Sequence, residues 1–133
     1  MRFWAVEALT KANLDLERLS IALPTVDPST IRVFAASRRF RVFWARGISA
    51  VAMPWGVYMH PDRLERPAAD IGRLMVHELV HIDQWRRLGA LGWARSYIGD
   101  YWRGRREGLG HRGAYRAIGL EEEARGVAAR LGG

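Results

Sequence analysis

The stretch LMVHELVHIDQW (residues 74–85) places two imidazoles and a carboxylate in a run that is otherwise almost wholly apolar. With His77 set at 0° on a helical wheel, His81 falls at about 40° and Glu78 at about 100°. The three polar groups share one arc, and Met75, Val76, Leu79, Val80 and Ile82 cover the remaining directions. A helix that is apolar all round for two turns belongs inside a protein. Its polar groups therefore need partners, because an unpaired buried polar group is costly. The spacing predicts a long helix from Ala68 to Leu88, with Gly89 as its stop.

The rest of the chain is read outward from this element. Residues 3–23 carry Phe3, Val6, Leu9, Leu14, Leu16, Leu19 and Leu23 at helical spacing, which predicts a first helix ended by Pro24 and Pro28. Residues 31–59 are rich in Val, Ile, Phe, Trp and Tyr in short pieces. They predict two or three strands, near 31–36, 40–45 and 47–59, with turns at Ser37–Arg39 and Arg46–Gly47. Pro54 confines its strand to a sheet edge or a bulge. Residues 60–70 form a connector, 90–106 a second amphipathic helix, 107–119 a loop or a broken turn and 120–131 a last helix. The expected fold is α+β: one domain over residues 1–133, with a small antiparallel or mixed sheet of about three strands on a helical layer.

Composition narrows the chemistry. With no cysteine, disulfides, thiolate metal sites and cysteine nucleophiles are excluded. No apolar run reaches the roughly 18–20 residues of a membrane-spanning helix, and the N-terminal residues lack a signal-peptide core. A soluble cytoplasmic protein is the expectation. The net charge of +7 is carried almost entirely by arginine. That excess suits an acidic partner, and SRRFRVFWAR (37–46) and YWRGRREG (101–108) interleave arginine with aromatics as nucleic-acid surfaces do. Arginine-rich usage in a GC-rich genome, with solvated arginines on an amphipathic sheet and helix, accounts for the same residues.

His77, Glu78 and His81 also match the HExxH pattern, in which the two histidines ligate zinc and the glutamate acts as general base. Imidazoles one turn apart can both reach an ion at about 2.0–2.1 Å, whereas a glutamate in between is turned too far round to ligate well. A catalytic site needs a third protein ligand. His60, His111, Asp83, Asp100, Glu107 and the run Glu121–Glu123 are the candidates. On the last helix Glu121 and Glu123 border the two edges of the apolar stripe, and Glu122 points away. Either of the two bordering residues can face the histidines.

HELVH followed about forty residues later by EEEAR resembles the gluzincin pattern, HExxH plus a glutamate from a second helix. The local form is similar to that of CAAX prenyl endopeptidase-type cores and of small bacterial HExxH domains. The resemblance implies a zincin-like minimal core, a Zn2+ ion, a peptide or protein substrate, and Glu121 as third ligand, since Ala124 follows at the family's interval. The chain departs from the family in having Arg125 where an aspartate follows that alanine. At i+4, Arg125 can pair with Glu121 and leave the ligand role to Glu123. In such a site Glu78 takes a proton from water as it attacks a carbonyl, then passes it to the leaving amine. A second electrophile is sought among Tyr97, Tyr101, His111 and Tyr115. His111 and Tyr115 rank first because their loop leads straight to Glu121. VAMPWGVYM (51–59) is the strand that can hold an extended peptide, and Asp83, turned away from the histidines, is expected at the surface.

Overall fold

The computed structural model describes residues 2–42, 44 and 48–132. Strand β1 (Arg2–Trp4) leads directly into helix α1 (Ala5–Lys11), whose start is held by Glu7 accepting the Trp4 N–H at 2.7 Å. Asn13 then takes a left-handed turn (φ 57°), and Asp15 caps helix α2 (Leu16–Ala22) by accepting from the Glu17 and Arg18 N–H groups. The single helix expected over 3–23 is thus a strand and two helices. Apolar spacing ran on through a break that the Asn13–Asp15 turn and cap chemistry had marked.

Strand β2 (Arg32–Ala35) pairs antiparallel with β1 and parallel with β4 (Gly56–Met59). Strand β3 (Ala50–Met53) pairs antiparallel with β4. The order β1-β2-β4-β3 makes a mixed sheet of four strands, one more than expected. The supposed strand at 47–59 is a hairpin: Pro54 and Trp55 form the turn, and β3 lies at the sheet edge as Pro54 required. Residues Arg38–Arg41 are a short helix, α3, instead of the start of a strand. Ser37 caps it by accepting the Phe40 N–H, a local bond that outweighs the β propensity of the Phe and Val side chains. The rest of the strand expected near 40–45, Val42 and Trp44 apart, and the turn at Arg46–Gly47 lie outside the described residues.

Side chains alternate across the sheet. Val33, Val57 and Met59 are fully buried on one face, while Phe34 stacks on Tyr58 at 5.0 Å on the other. The inner face shares one core with Met75, Val76, Leu79, Val80 and Ile82 of helix α5 (Ala68–Arg106), which follows the short helix α4 (Pro61–Leu64). Gly89 interrupts α5 at φ 73°, ψ 166°, a conformation that glycine tolerates and other residues resist. The expected stop at Gly89 and the helix over 90–106 are therefore both present, as two arms across a kink. Gly72 lets α1 cross α5 closely, since a Cβ there would lie 2.4 Å from the Ala12 Cβ.

Helix α6 (His111–Arg116) occupies the segment expected to be a loop or a broken turn, its buried Ala114 seated on Gly104. The last helix, α7 (Gly119–Gly132), packs along α5 through Ala124, Val127 and Ala128, the stripe anticipated from its spacing. Among the described residues no helix is long and apolar enough to cross a membrane.

Candidate metal centre

Because α7 lays its apolar stripe on α5, the residue at the edge of that stripe is driven inward. Glu121 is 3 % exposed and inserts between the two histidines. Its Oε2 lies 3.1 Å from His77 Nε2 and its Oε1 3.0 Å from His81 Nε2, and the imidazole centroids are 4.9 Å apart. One ligand atom from each of the three residues falls within 4.8 Å of the other two. Tetrahedral ligands about 2.0–2.2 Å from an ion stand about 3.4 Å from one another. His77, His81 and Glu121 can therefore hold a metal ion with small adjustments.

The donor chemistry fits as well as the geometry. The centre buries two carboxylates, Glu78 and Glu121, against two imidazoles. A divalent cation balances the charge of two carboxylates, and two nitrogens with one oxygen is a donor set that zinc accepts. Glu123, the alternative ligand, is engaged elsewhere: it accepts from Arg87 at 2.8 Å and from Gln84 at 3.1 Å. Glu122 is exposed, as its direction on the helix required. Arg125 does not pair with Glu121 but donates to the Arg116 carbonyl.

Around this group the structure adds partners that the sequence did not announce. Gln84, fully buried, donates to the Leu120 carbonyl at 2.9 Å, so its amide oxygen faces His81 Nδ1 at 2.8 Å. That bond places a proton on Nδ1 and aims Nε2 at Glu121. A polar residue three positions after His81 on an apolar helix was a legible signal. Beyond the Gly89 kink, the second arm of α5 folds an aromatic stack over the centre. Trp85 stacks on Trp93 at 4.4 Å and Trp93 on Tyr97 at 4.7 Å, with Trp93 set edge-on to His81 at 6.3 Å. Tyr97 donates to Glu121 Oε1 at 3.2 Å. The Trp93 indole N–H is buried with no partner among the described residues.

Charges in the centre set one another. Burial drives the Glu78 carboxyl above its ordinary range, the neighbouring His81 and His77 pull it partly back, and the charge of Glu121 adds to the rise. Burial would likewise depress His81, but its hydrogen bond to Glu121 and the charge of Glu78 prevail and hold it at about 9. Burial opposes ionisation of Glu121 too, yet the hydrogen bonds from both imidazoles keep it well below the usual carboxylate range. Burial and the Glu121 charge push the Tyr97 and Tyr115 phenols up, so both remain protonated donors.

Of the other expected residues, Tyr115 lies at the border of the centre, its ring 6.5 Å from that of Tyr97. His111 does not join the group: it is exposed at the start of α6 and bonded to Tyr101 at 2.9 Å. His60 caps α4 by accepting the Asp62 N–H. Asp83, expected at the surface, is 4 % exposed. Its side of α5 is covered by the turn after α2, from which Thr25 donates to it, and Arg87 closes over it at 2.7 Å.

The edge strand lies against this arrangement. The His60 N–H bond to the Ser49 carbonyl sets the phase of the β3–β4 ladder, so Val51 and Met53 face β4 while Ala50 and Ala52 face the free edge. The Trp85 indole takes one free acceptor there, donating to the Ala52 carbonyl at 3.1 Å. Comparison of the chain with protein-family models, with curated proteins and with solved structures gives no match.

Proposed function

We propose that the chain is a small zinc-dependent metallopeptidase of gluzincin type, with His77, His81 and Glu121 as ligands and Glu78 as general base. The observation that carries this reading is the burial of Glu121, from a second helix, between two imidazoles one turn apart, with Glu78 beside them but outside the ligand group. When bound, the ion supplies a Lewis acid for the substrate carbonyl and lowers the pKa of a water towards about 7.

The chain's own residues do the rest. As a water oxygen bonds to the carbonyl carbon, Glu78 accepts the water's proton; as the C–N bond breaks, it delivers that proton to the amine nitrogen. A carboxyl raised by burial is suited to this, since it must both take and return a proton near neutral pH. Gln84 and Tyr97 are positioning residues, one fixing the His81 tautomer and the other bonded to Glu121. Tyr115, protonated and half-buried at the border, is the phenol assigned to the developing oxyanion. The Ala50 N–H and carbonyl and the Ala52 N–H, on the edge away from β4, offer main-chain bonds to an extended peptide, the Ala52 carbonyl being taken by Trp85.

Metal analysis of purified protein, beside His77→Ala and Glu121→Ala, tests the ligand set. Zinc at one equivalent in the wild type and its loss in both variants is the expected result. Absence of zinc from the wild type ends the reading. A wild type that binds zinc and cleaves no peptide in a diverse library leaves a metal site without peptidase activity.

A further inference from the structure

Beside the metal centre, and touching it at His77, opens a cleft of about 630 Å³. That is within the roughly 300–1,000 Å³ of ordinary ligand clefts. One wall belongs to the start of α5 and the segment before it. Asp70, Arg73 and His77 follow one another at i, i+3 and i+7, so they share a helix face, and Arg63 and Arg66 precede them along the same wall. Arg125 comes from α7 on the opposite wall. Four arginines and a single carboxylate, Asp70, thus line the cleft, and none of the four is ion-paired among the described residues. The other arginines facing buried or half-buried carboxylates, Arg87 and Arg103, do have partners.

We infer that this cleft selects peptides bearing carboxylates next to the bond to be cut. The inference rests on the peptidase reading for what happens at His77, but the charge argument concerns binding alone. Like charges gathered without ion-pair partners raise the local potential and attract an acidic chain. Guanidinium groups suit carboxylates in particular, because their planar fork can bond both oxygens. The placement of four of the chain's arginines in the cleft that also holds His77 makes them a selector of residues flanking the scissile bond. The carboxylates are those of aspartate or glutamate side chains, or of the chain end; both present the same group.

The test uses full-length, zinc-loaded Glu78→Gln protein and end-blocked fluorescent peptides that differ only in Glu against Gln. At about 50 mM salt the Glu peptide should bind about tenfold tighter, the sum of a few exposed ion pairs at the upper end of their range. The preference should shrink at about 500 mM salt, where the Debye length falls to a few ångströms. The double replacement Arg66→Gln, Arg73→Gln should bring the two peptides together. A Gln peptide with a free C-terminus that binds as tightly as the Glu peptide assigns the carboxylate to the chain end; a weaker one assigns it to side chains. Equal binding of Glu and Gln peptides, or a preference that survives the double replacement, overturns the inference. So does a single-stranded oligonucleotide that displaces the Glu peptide at lower concentration, which would make the cleft a phosphate site. These ratios are readable whether or not the wild type cleaves anything. Conversely, equal cleavage of both peptides by the wild type would overturn the selector and keep the peptidase.

Discussion

Helix α5 buries polar groups on two of its sides, and the two clusters are built on opposite logic. Around Asp83 the groups satisfy one another: a hydroxyl from Thr25 and a guanidinium from Arg87 give donors to a carboxylate that can only accept. Around His77 and His81 the acceptors are in excess. Two carboxylates and two imidazoles gather there, and Glu121 is held by hydrogen bonds from His77, His81 and Tyr97. The first arrangement is complete as it stands. The second is one that a divalent ion completes, and Glu78 remains outside it with its proton affinity raised. The burial of a polar residue on a core helix is thus uninformative until its partners are counted.

The sharpest way to break this comparison is Glu78→Gln. Removal of a general base lowers peptide hydrolysis by about 10²–10⁴-fold. Because burial already favours the neutral carboxyl, the isosteric amide should leave folding stability unchanged and zinc content at the wild-type level. Turnover assays with metal analysis on the same preparation check both. An active Glu78→Gln variant would show that this carboxyl is structural, like Asp83.

Zinc itself separates the clusters next. At free zinc a hundredfold above its dissociation constant, binding to the folded state alone adds about 2.7 kcal/mol, on the order of 10 °C in melting temperature for a chain of this size. A chelator should reverse the gain. Glu121→Gln, which removes the ligand charge, should abolish it, as calorimetry with and without zinc would show. Gln84→Leu keeps the three ligands but frees the His81 ring, and should weaken zinc by about 10–100-fold in a competition titration.

How much of this was legible depended on distance along the chain. The α5 core, the break at Gly89 and the apolar stripe of α7 were readable because helical phase and glycine punctuation are local signals. The same phase arithmetic brought out His77 and His81, left Glu121 and Glu123 as alternatives and turned Glu122 away; the resemblance to the gluzincin pattern singled out Glu121. The α3 helix was also locally signalled, by the Ser37 cap, but the β-rich composition around it obscured the cap. Strand β1 was hidden because a three-residue strand is defined by its partner, and Phe3 meets Val33 thirty positions later. Asp83 was misplaced for the same reason: nothing near it in sequence shows that the turn bearing Thr25 will cover that side of the helix. The Trp93–Tyr97 cover, and the engagement of Glu123 by Gln84 and Arg87, exist only because the chain folds back at Gly89 and returns as α7.

The smallest expected effect is the most pointed contrast, because it repeats the Glu121→Gln change on the other side of the same helix. In Asp83→Asn the amide oxygen still accepts from the Thr25 hydroxyl, and what is lost is one charge opposite Arg87, whose side chain is 46 % exposed. A half-exposed ion pair contributes at most about 1 kcal/mol once solvent screening is counted. Denaturant unfolding should therefore show a loss of about that size, and zinc affinity should not move. A loss several times larger would mean that Asp83 carries α5 in place more than its partners suggest. A change in zinc affinity would mean that the two sides of the helix are coupled, and that the centre at His77 and His81 is held from behind as well as from α7.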